Sequence, residues 1–340
     1  MSSGGNTIYD IASAAGVSIT TVSRVLRGEP NVAQRTRTKV ENAIEQLQYQ
    51  PNAAARGMAG GKTGTLGIVL PQLLNPHYAM IYTGAVSAAI ESGQNLQLFS
   101  RHDILGKGAS ALPALMNPHL DGIVLYLEYP QREGLEQLEK TLNEIHRSMP
   151  FVLIGTVAPE LPYPAISYNM AAIMKSTVSY LTGLGHRRIA FIGGAADSTN
   201  ELRRDIGYQQ GLREAGIIYR DDYRIPCSDT LEAGSSALRQ LLDHLPRSEW
   251  PSAVIALNDL VATGLMASAR TYGLRLPDDL SVIGCDNLFY APYLTPSLTT
   301  IDLHQQQLGI NAIRLLLSGD SRRENAAWHL IERNSCRPYF

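Results

Sequence analysis

The sequence predicts a small all-α head followed by a much larger α/β domain in two lobes, each lobe built on a parallel sheet. Three observations carry this expectation. The first 50 residues place apolar side chains at helical spacing with almost no strand signal. From Thr65 the texture changes to short apolar runs separated by amphipathic stretches, the pattern of strands covered by helices on both faces. These alternations come as two successive series, which implies two lobes with a cleft at the carboxyl ends of their strands.

In the head, Thr7 reads as an N-cap with Asp10 in the first turn, and Ile8, Ile11, Ala12 and Ala15 recur at helical spacing until Gly16 ends the run. Ser18 caps a second helix with the stripe Val22, Val25 and Leu26, closed by Gly28 and Pro30. A third helix over 34–47 buries Val40, Ala43, Ile44 and Leu47. After a break at 49–52, the Ala-rich stretch 53–59 has the composition of one or two helical turns. Strands are expected at 66–70, 96–99, 122–127 and 151–154 in the first series, at 165–168, 188–192, 253–256 and 281–285 in the second, and finally at 328–333. Helices are expected at 78–91, 171–184, 202–215, 231–245 and 259–272.

With 340 residues, 44% of them hydrophobic and 18% charged, the chain has material for two or three compact units and the balance of an ordinary globular protein. No window approaches 18 consecutive apolar residues, and Met1-Ser-Ser-Gly-Gly has neither the basic cluster nor the apolar core of an export signal, so a cytoplasmic protein is expected. Cys227, Cys285 and Cys336 are widely and irregularly spaced, which fits neither a disulfide framework nor a zinc site, and they are expected to be reduced. The net charge of −2 conceals an asymmetry: residues 1–62 hold seven Lys/Arg against four acids, +3, which leaves −5 on the remainder. A basic head on an acidic body points to a polyanion met by the head alone.

Two short helices joined by a tight Gly-containing turn are the geometry in which the second helix enters a DNA major groove while the first braces the backbone. With Val22, Val25 and Leu26 facing inward, Ile19, Thr20, Ser23 and Arg24 remain on the outer face of that second helix. Methyl-bearing and short polar groups beside one guanidinium suit base edges and thymine methyls. A plain helical bundle with a polar face would show the same periodicity, so the motifs must decide.

Thr7-Ile-Tyr-Asp-Ile-Ala12, Ala15-Gly-Val-Ser18, Thr21-Val-Ser-Arg-Val-Leu26 and Leu47-Gln-Tyr-Gln-Pro-Asn52 resemble the head of the LacI/GalR family of bacterial transcription regulators. Further motifs follow in the family's order: Leu184-Gly-His-Arg-Arg-Ile-Ala-Phe-Ile-Gly-Gly194, Leu257-Asn-Asp-Leu260, Leu276-Pro-Asp-Asp-Leu-Ser-Val-Ile-Gly-Cys-Asp286 and Leu294-Thr-Pro-Ser-Leu-Thr-Thr300. The resemblance implies a helix-turn-helix head over 1–50, a hinge helix and linker over 51–62, and a periplasmic-binding-protein-like sensor domain. One sensor lobe would comprise 63–161 with 292–322, the other 162–291 with 323–340. It further implies that Ile19, Thr20 and Arg24 read bases, with Ser23 beside them, while Ser18, Thr21 and Asn31 hold phosphates. Asn52 would join the DNA contacts, and Met58, where the family usually has Leu, would wedge into the minor groove from the hinge helix.

By the same resemblance the effector lies between the lobes, at Arg204, Asn258 and Asp286, with Tyr78 and Tyr168 as aromatic walls and His77 beside them. A guanidinium, an amide and a carboxylate in one cleft donate to and accept from the adjacent hydroxyls of a sugar. Asp229 belongs to this set but stands where relatives often carry an aromatic ring, and Gly155 and Asn169 stand where acids are frequent, so the ligand stays open between a carbohydrate and a nucleoside or purine. Three further residues read as structural: Asp259 as an N-cap, Asp278 and Asp279 as surface-turn residues; His186 reads as a capping or packing residue rather than a catalyst.

The expectation is therefore a homodimeric repressor on a palindromic operator, released when a small carbohydrate fills the cleft, with no cofactor, metal or membrane partner. The segment after the last expected strand has no heptad tail of the kind that builds tetramers. Other classes fit less well. A periplasmic sugar-binding protein needs an export signal and no basic head. Gly57-Met-Ala-Gly-Gly-Lys-Thr63 is one residue short of a P-loop and precedes a strand instead of following one. No Gly-x-Ser-x-Gly elbow, His-Glu-x-x-His helix or clustered metal ligands suggest an enzyme.

Overall fold

The structure is a computed structural model and describes residues 7–26, 29–49, 62–100, 120–128, 132–194 and 199–339. The 53–59 stretch, with Asn52 and Met58, lies outside the described residues. The chain forms two compact units, a small one containing the head and a large one starting at Leu66.

The head holds α1 (Ile8–Ala15), α2 (Ile19–Leu26) and α3 (Gln34–Gln46). The Asp10 carboxylate accepts hydrogen bonds from the Thr7 backbone N–H and the Thr7 hydroxyl, both at 2.7 Å, which closes the first turn and holds its carboxyl below the ordinary range. Gly16 ends α1 in the left-handed region at φ +64°, where a side chain would be strained, and so sets the turn into α2. Ile11, Val22 and Val40, one from each helix, are fully buried and form the centre of the head's core. The stripe expected from the sequence is the one the fold buries.

The large unit carries two six-stranded sheets among its described residues. The strands are β1 (Thr65–Leu70), β2 (Asn95–Ser100), β3 (Gly122–Glu128), β4 (Phe151–Thr156), β5 (Ala165–Ser167), β6 (Ile189–Ile192), β7 (Arg224–Ile225), β8 (Ala253–Ala256), β9 (Ser281–Cys285), β10 (Thr299–Asp302), β11 (Arg323–Asn325) and β12 (His329–Ile331). The first sheet has the order β11-β5-β4-β3-β1-β2, the second β12-β10-β9-β8-β6-β7. The recorded pairings are parallel except β10 with β12. Runs such as Gly122-Ile-Val-Leu-Tyr-Leu127 are apolar without alternation because helices cover both faces.

Sheet membership moves the lobe boundaries read from the sequence. β5 and β11, assigned to the second lobe, pair in the first sheet, whereas β10, assigned to the first lobe, pairs in the second. The chain crosses between lobes near Tyr168, Leu303 and Ala327, after strands of only three or four residues. Such strands carry too little periodicity to be placed by pattern. The helices Arg132–Ser148 and Gln305–Ser318 and the strand β10 were likewise not anticipated. The Gln305–Ser318 helix has no side-chain cap and carries Gly309 in its interior, which hides it from helix-start and helix-propensity signals.

That glycine has a packing role. A Cβ on Gly309 would overlap the Ile81 carbonyl, and one on Gly84 would overlap the Gln306 carbonyl, so the helices Pro76–Glu91 and Gln305–Ser318 cross backbone to backbone. Gly234 and Gly264 do the same between Leu231–Asp243 and Asp259–Ala269 in the second lobe. Interior glycine costs about 1 kcal/mol of helix propensity relative to alanine, and the close crossing offsets it. Gly309→Val should therefore lower stability by about 1–3 kcal/mol, read as a urea midpoint shift. Gly183→Ala, with nothing near its Cβ, should leave stability unchanged or raise it by up to about 1 kcal/mol.

His186 is buried, its Nδ1 2.9 Å from the Ser252 hydroxyl and its Nε2 3.1 Å from the Arg337 carbonyl, and its ring stacks on Tyr339. Of the capping and packing roles read from the sequence, these contacts make it a packing residue. Burial lowers its pKa, so its contribution to stability is complete above the unfolded value and is lost as pH falls through the folded one. Urea midpoints measured between pH 7.5 and 5 should fall more steeply for the natural chain than for His186→Gln.

Candidate functional site

In the head, α2 buries Val22 and Val25 and turns Ile19, Thr20 and Arg24 outward; Ile19 is 40% exposed although apolar. Ser23 and Thr21 are half-buried on the flanks of that face, and Asn31 is exposed in the turn before α3. Ser18 tethers the start of α2 by accepting from the Thr21 N–H at 3.2 Å, with the two hydroxyls 2.8 Å apart. Arg24 lies 3.7 Å from Glu29, an exposed pair of a kind that stabilises little, so the guanidinium can exchange that carboxylate for a ligand. The helix thus presents hydroxyls, one methyl-rich side chain and one cation on a rigid surface.

In the large unit, a cavity of about 290 Å³ opens between the two lobes. It gathers six of the seven effector residues expected from the sequence: His77, Tyr78, Arg204, Asp229, Asn258 and Asp286. The seventh is corrected. Tyr168 is buried in the first lobe's core, its hydroxyl donating to the Leu303 carbonyl at 2.9 Å, and it does not line the cavity. Burial drives its pKa well up, so the phenol stays neutral and serves the fold. Tyr126 stands in the cavity wall instead, packed edge-to-face on Tyr78 with ring centroids 5.1 Å apart. Gln72, Asn75, Met170 and Cys227 also line it and were not anticipated. Tyr126 was hidden in an unbroken apolar strand, and Asn75 lies just outside the helix expected at 78–91.

Each group is placed by local structure. Asn75 caps the helix Pro76–Glu91 by accepting from the His77 N–H at 3.0 Å, with proline at the first helical position, and this sets His77 at the helix mouth. His77 Nδ1 lies 2.9 Å from Asp286 Oδ1, both side chains buried, and Tyr126 closes the other side of the ring at 3.4 Å from Nε2. Asp286 follows β9, so this contact joins the lobes. Asn75 Nδ2 reaches Asp229 across the cavity at 3.5 Å, a second and longer bridge. Arg204 is oriented by donating to the Leu257 carbonyl at 2.6 Å, at the carboxyl end of β8.

Asn258 caps the helix Asp259–Ala269, its side chain accepting from the Val261 N–H at 2.9 Å. This corrects the capping role expected for Asp259, which is fully buried and accepts from the Thr300 hydroxyl at 2.6 Å and the Leu288 N–H at 2.7 Å. Burial, and then the neighbouring Asp286 charge, push its carboxyl well above the usual range. Asp286 and Asn287 take φ +120° and +51°, backbone that non-glycine residues adopt at a cost of about 1–3 kcal/mol each when the surroundings enforce it. Asp278 and Asp279 are surface residues, paired with Arg337 and Arg275. None of the three cysteines is in a disulfide.

A helix-turn-helix head joined to a two-lobed α/β domain with a polar interlobe cavity defines a DNA-binding regulator with a small-molecule sensor. Comparison with known proteins agrees. Residues 7–52 match the profile of bacterial regulatory proteins of the lacI family, and residues 178–336 match that of a periplasmic binding protein-like domain. The chain is 34% identical over 313 residues to catabolite control protein A of Priestia megaterium, covering 91% of each chain. Among solved structures it is similar to the Lac repressor dimer bound to operator and the anti-inducer ONPF (TM-score 0.85, 25% identity, 98% of this chain and 99% of that one). It is also similar to the complex of the transcriptional regulator CelR with cellobiose (TM-score 0.70, 29% identity, 97% and 99%). The chain belongs to the LacI family: it is a DNA-binding transcriptional repressor, and its relatives are regulators, not enzymes. Among the described residues no helix is long and apolar enough to cross a membrane.

Removing one partner of a buried polar pair exposes the other to an apolar surrounding without compensation. His77→Ala should lower stability by about 1–3 kcal/mol, and His77→Ala/Asp286→Ala should cost less than the sum of the two single changes. Urea midpoints of the four proteins check this.

Proposed function

We propose that this repressor binds a palindromic operator as a homodimer in the cytoplasm and releases it when a small carbohydrate fills the interlobe cavity. Ile19, Thr20 and Arg24 read base edges, Ser23 lies beside them, and Ser18, Thr21 and Asn31 position the helix on phosphates. Arg204, Asn258, Asp229, Asp286 and His77 bind the effector. The observation that carries this reading is the convergence of an exposed guanidinium-and-hydroxyl helix in one unit with a cavity of charged and amide groups in the other.

Several features favour a sugar over a nucleoside or purine. The cavity's lining offers both donors and acceptors, as vicinal hydroxyls require. Tyr78 and Tyr126 are almost wholly buried against each other, leaving little ring face on which to stack a base. The relative CelR is complexed with cellobiose. A homodimer matches a two-fold operator, and the related Lac repressor is a dimer on its operator.

A thermal-shift screen over sugars, sugar phosphates and purines, followed by operator binding at fixed salt, tests the effector. A sugar hit should weaken operator binding about 5- to 150-fold, a coupling of about 1–3 kcal/mol. Arg204→Ala should abolish the response without changing operator affinity in the ligand's absence; a hit among purines alone would overturn the sugar assignment. For the head, replacing Thr20 or Arg24 should change which operator bases are preferred, each good base contact being worth about 1–3 kcal/mol of discrimination. A loss of affinity uniform across sequences would instead make them phosphate contacts.

A further inference from the structure

We propose that Asp302, His304 and His329 form a binding site for a divalent transition-metal ion of the zinc type, placed where the chain crosses between the lobes. One ligand atom from each residue lies within 4.8 Å of the other two. His304 Nε2 and His329 Nδ1 are 2.9 Å apart, and the other ring nitrogen of His304, Nδ1, faces Asp302 Oδ1 at 3.7 Å. No resemblance or motif pointed to this cluster, because positions 302, 304 and 329 follow no metal-ligand spacing in the sequence.

The fold brings the three together. Asp302 ends β10 and is the direct antiparallel partner of His329 on β12, so the sheet register alone sets these two side by side. His304 follows two residues later, held at φ +50° immediately before the Gln305–Ser318 helix of the first lobe. The Asp302 carboxylate is fixed before any ion arrives, with Oδ1 accepting from the His304 N–H at 2.7 Å and Oδ2 from Asn287 Nδ2 at 2.9 Å. His329 is exposed and His304 half-exposed, so an ion can enter from solvent.

The donor set selects the ion. Two imidazoles and one carboxylate suit zinc and its neighbours, whereas magnesium and calcium take oxygen ligands. In the metal-free chain a single proton shared between the two imidazole nitrogens accounts for their 2.9 Å approach. An ion replaces that proton: at zinc–nitrogen distances of about 2.0–2.1 Å and tetrahedral angles the two nitrogens stand roughly 3.3 Å apart, a few tenths of an ångström from where they are. Water fills the fourth position. Because Asp302 and His329 hang from the second sheet while His304 opens a first-lobe helix, the bound ion would tie the crossing strand to both lobes. This does not depend on the identity of the effector.

The full-length chain, dialysed against EDTA and then into chelator-free buffer, is titrated with ZnCl2 by calorimetry and with CoCl2 by visible absorption. One zinc per chain at this site is expected, together with a cobalt d–d band. Affinity should fall at least tenfold in His329→Gln and in His304→Gln, whereas His244→Gln, an exposed histidine elsewhere, binds as the natural chain does. Far-UV circular dichroism confirms that the variants are folded, and for any that is not, a rise in the natural chain's melting temperature on adding ZnCl2 that Asp302→Asn lacks serves the same purpose. Absence of zinc uptake by the natural chain, or zinc affinity in both histidine variants equal to that of the natural chain, overturns the site.

Discussion

Asp286 directly follows β9 of the second sheet yet is gripped from the first lobe at two points: His77 meets its carboxylate at 2.9 Å, and Gln305 donates to its backbone carbonyl at 2.5 Å. The remainder of the sensor is arranged around that clasp. The positive φ of Asp286 and Asn287 is sustained there, as is the buried network of Asp259, Thr300 and Leu288 directly beneath it. A ligand in the interlobe cavity must either fit beside the His77–Asp286 contact or compete for it, and in both cases it acts on the joint between the lobes. Tight helix crossings at Gly84 with Gly309 and Gly234 with Gly264 pack the helices of each lobe backbone to backbone.

The head was legible in the sequence because its information is local. A capped helix start, a glycine at the left-handed turn between the first two helices, and an apolar stripe of period 3.6 fix three short helices whose core is Ile11, Val22 and Val40. Most strands and helices of the sensor were legible for the same reason. The lobe boundaries were not, since they depend on which sheet accepts the short strands β5, β10 and β11, and pairing partners distant in sequence leave no local periodicity.

The cavity was readable residue by residue where a motif carried the position, as with Asn258 and Asp286. It was not readable where the choice lay between two tyrosines of the same lobe, one on β3 and one just after β5. Tyr168 and Tyr126 both belong to apolar runs, and only the packing decides that the first donates into the core while the second faces the cavity. Asp259 and Asn258 show the same limit on a smaller scale. Either can cap a helix, and the side chain that does so is the one whose neighbour is needed by a buried hydroxyl and amide.

Positive charge is concentrated in the head and net negative charge in the sensor, an arrangement that favours the head over the body at a phosphate backbone. If cavity and head are thermodynamically coupled, the coupling must be reciprocal. The most direct measurement is effector affinity by calorimetry, with and without saturating operator DNA, beside operator affinity with and without effector at the same salt. The account predicts that the two ratios agree, at about 5- to 150-fold. Effector affinity that is unchanged by operator would contradict it.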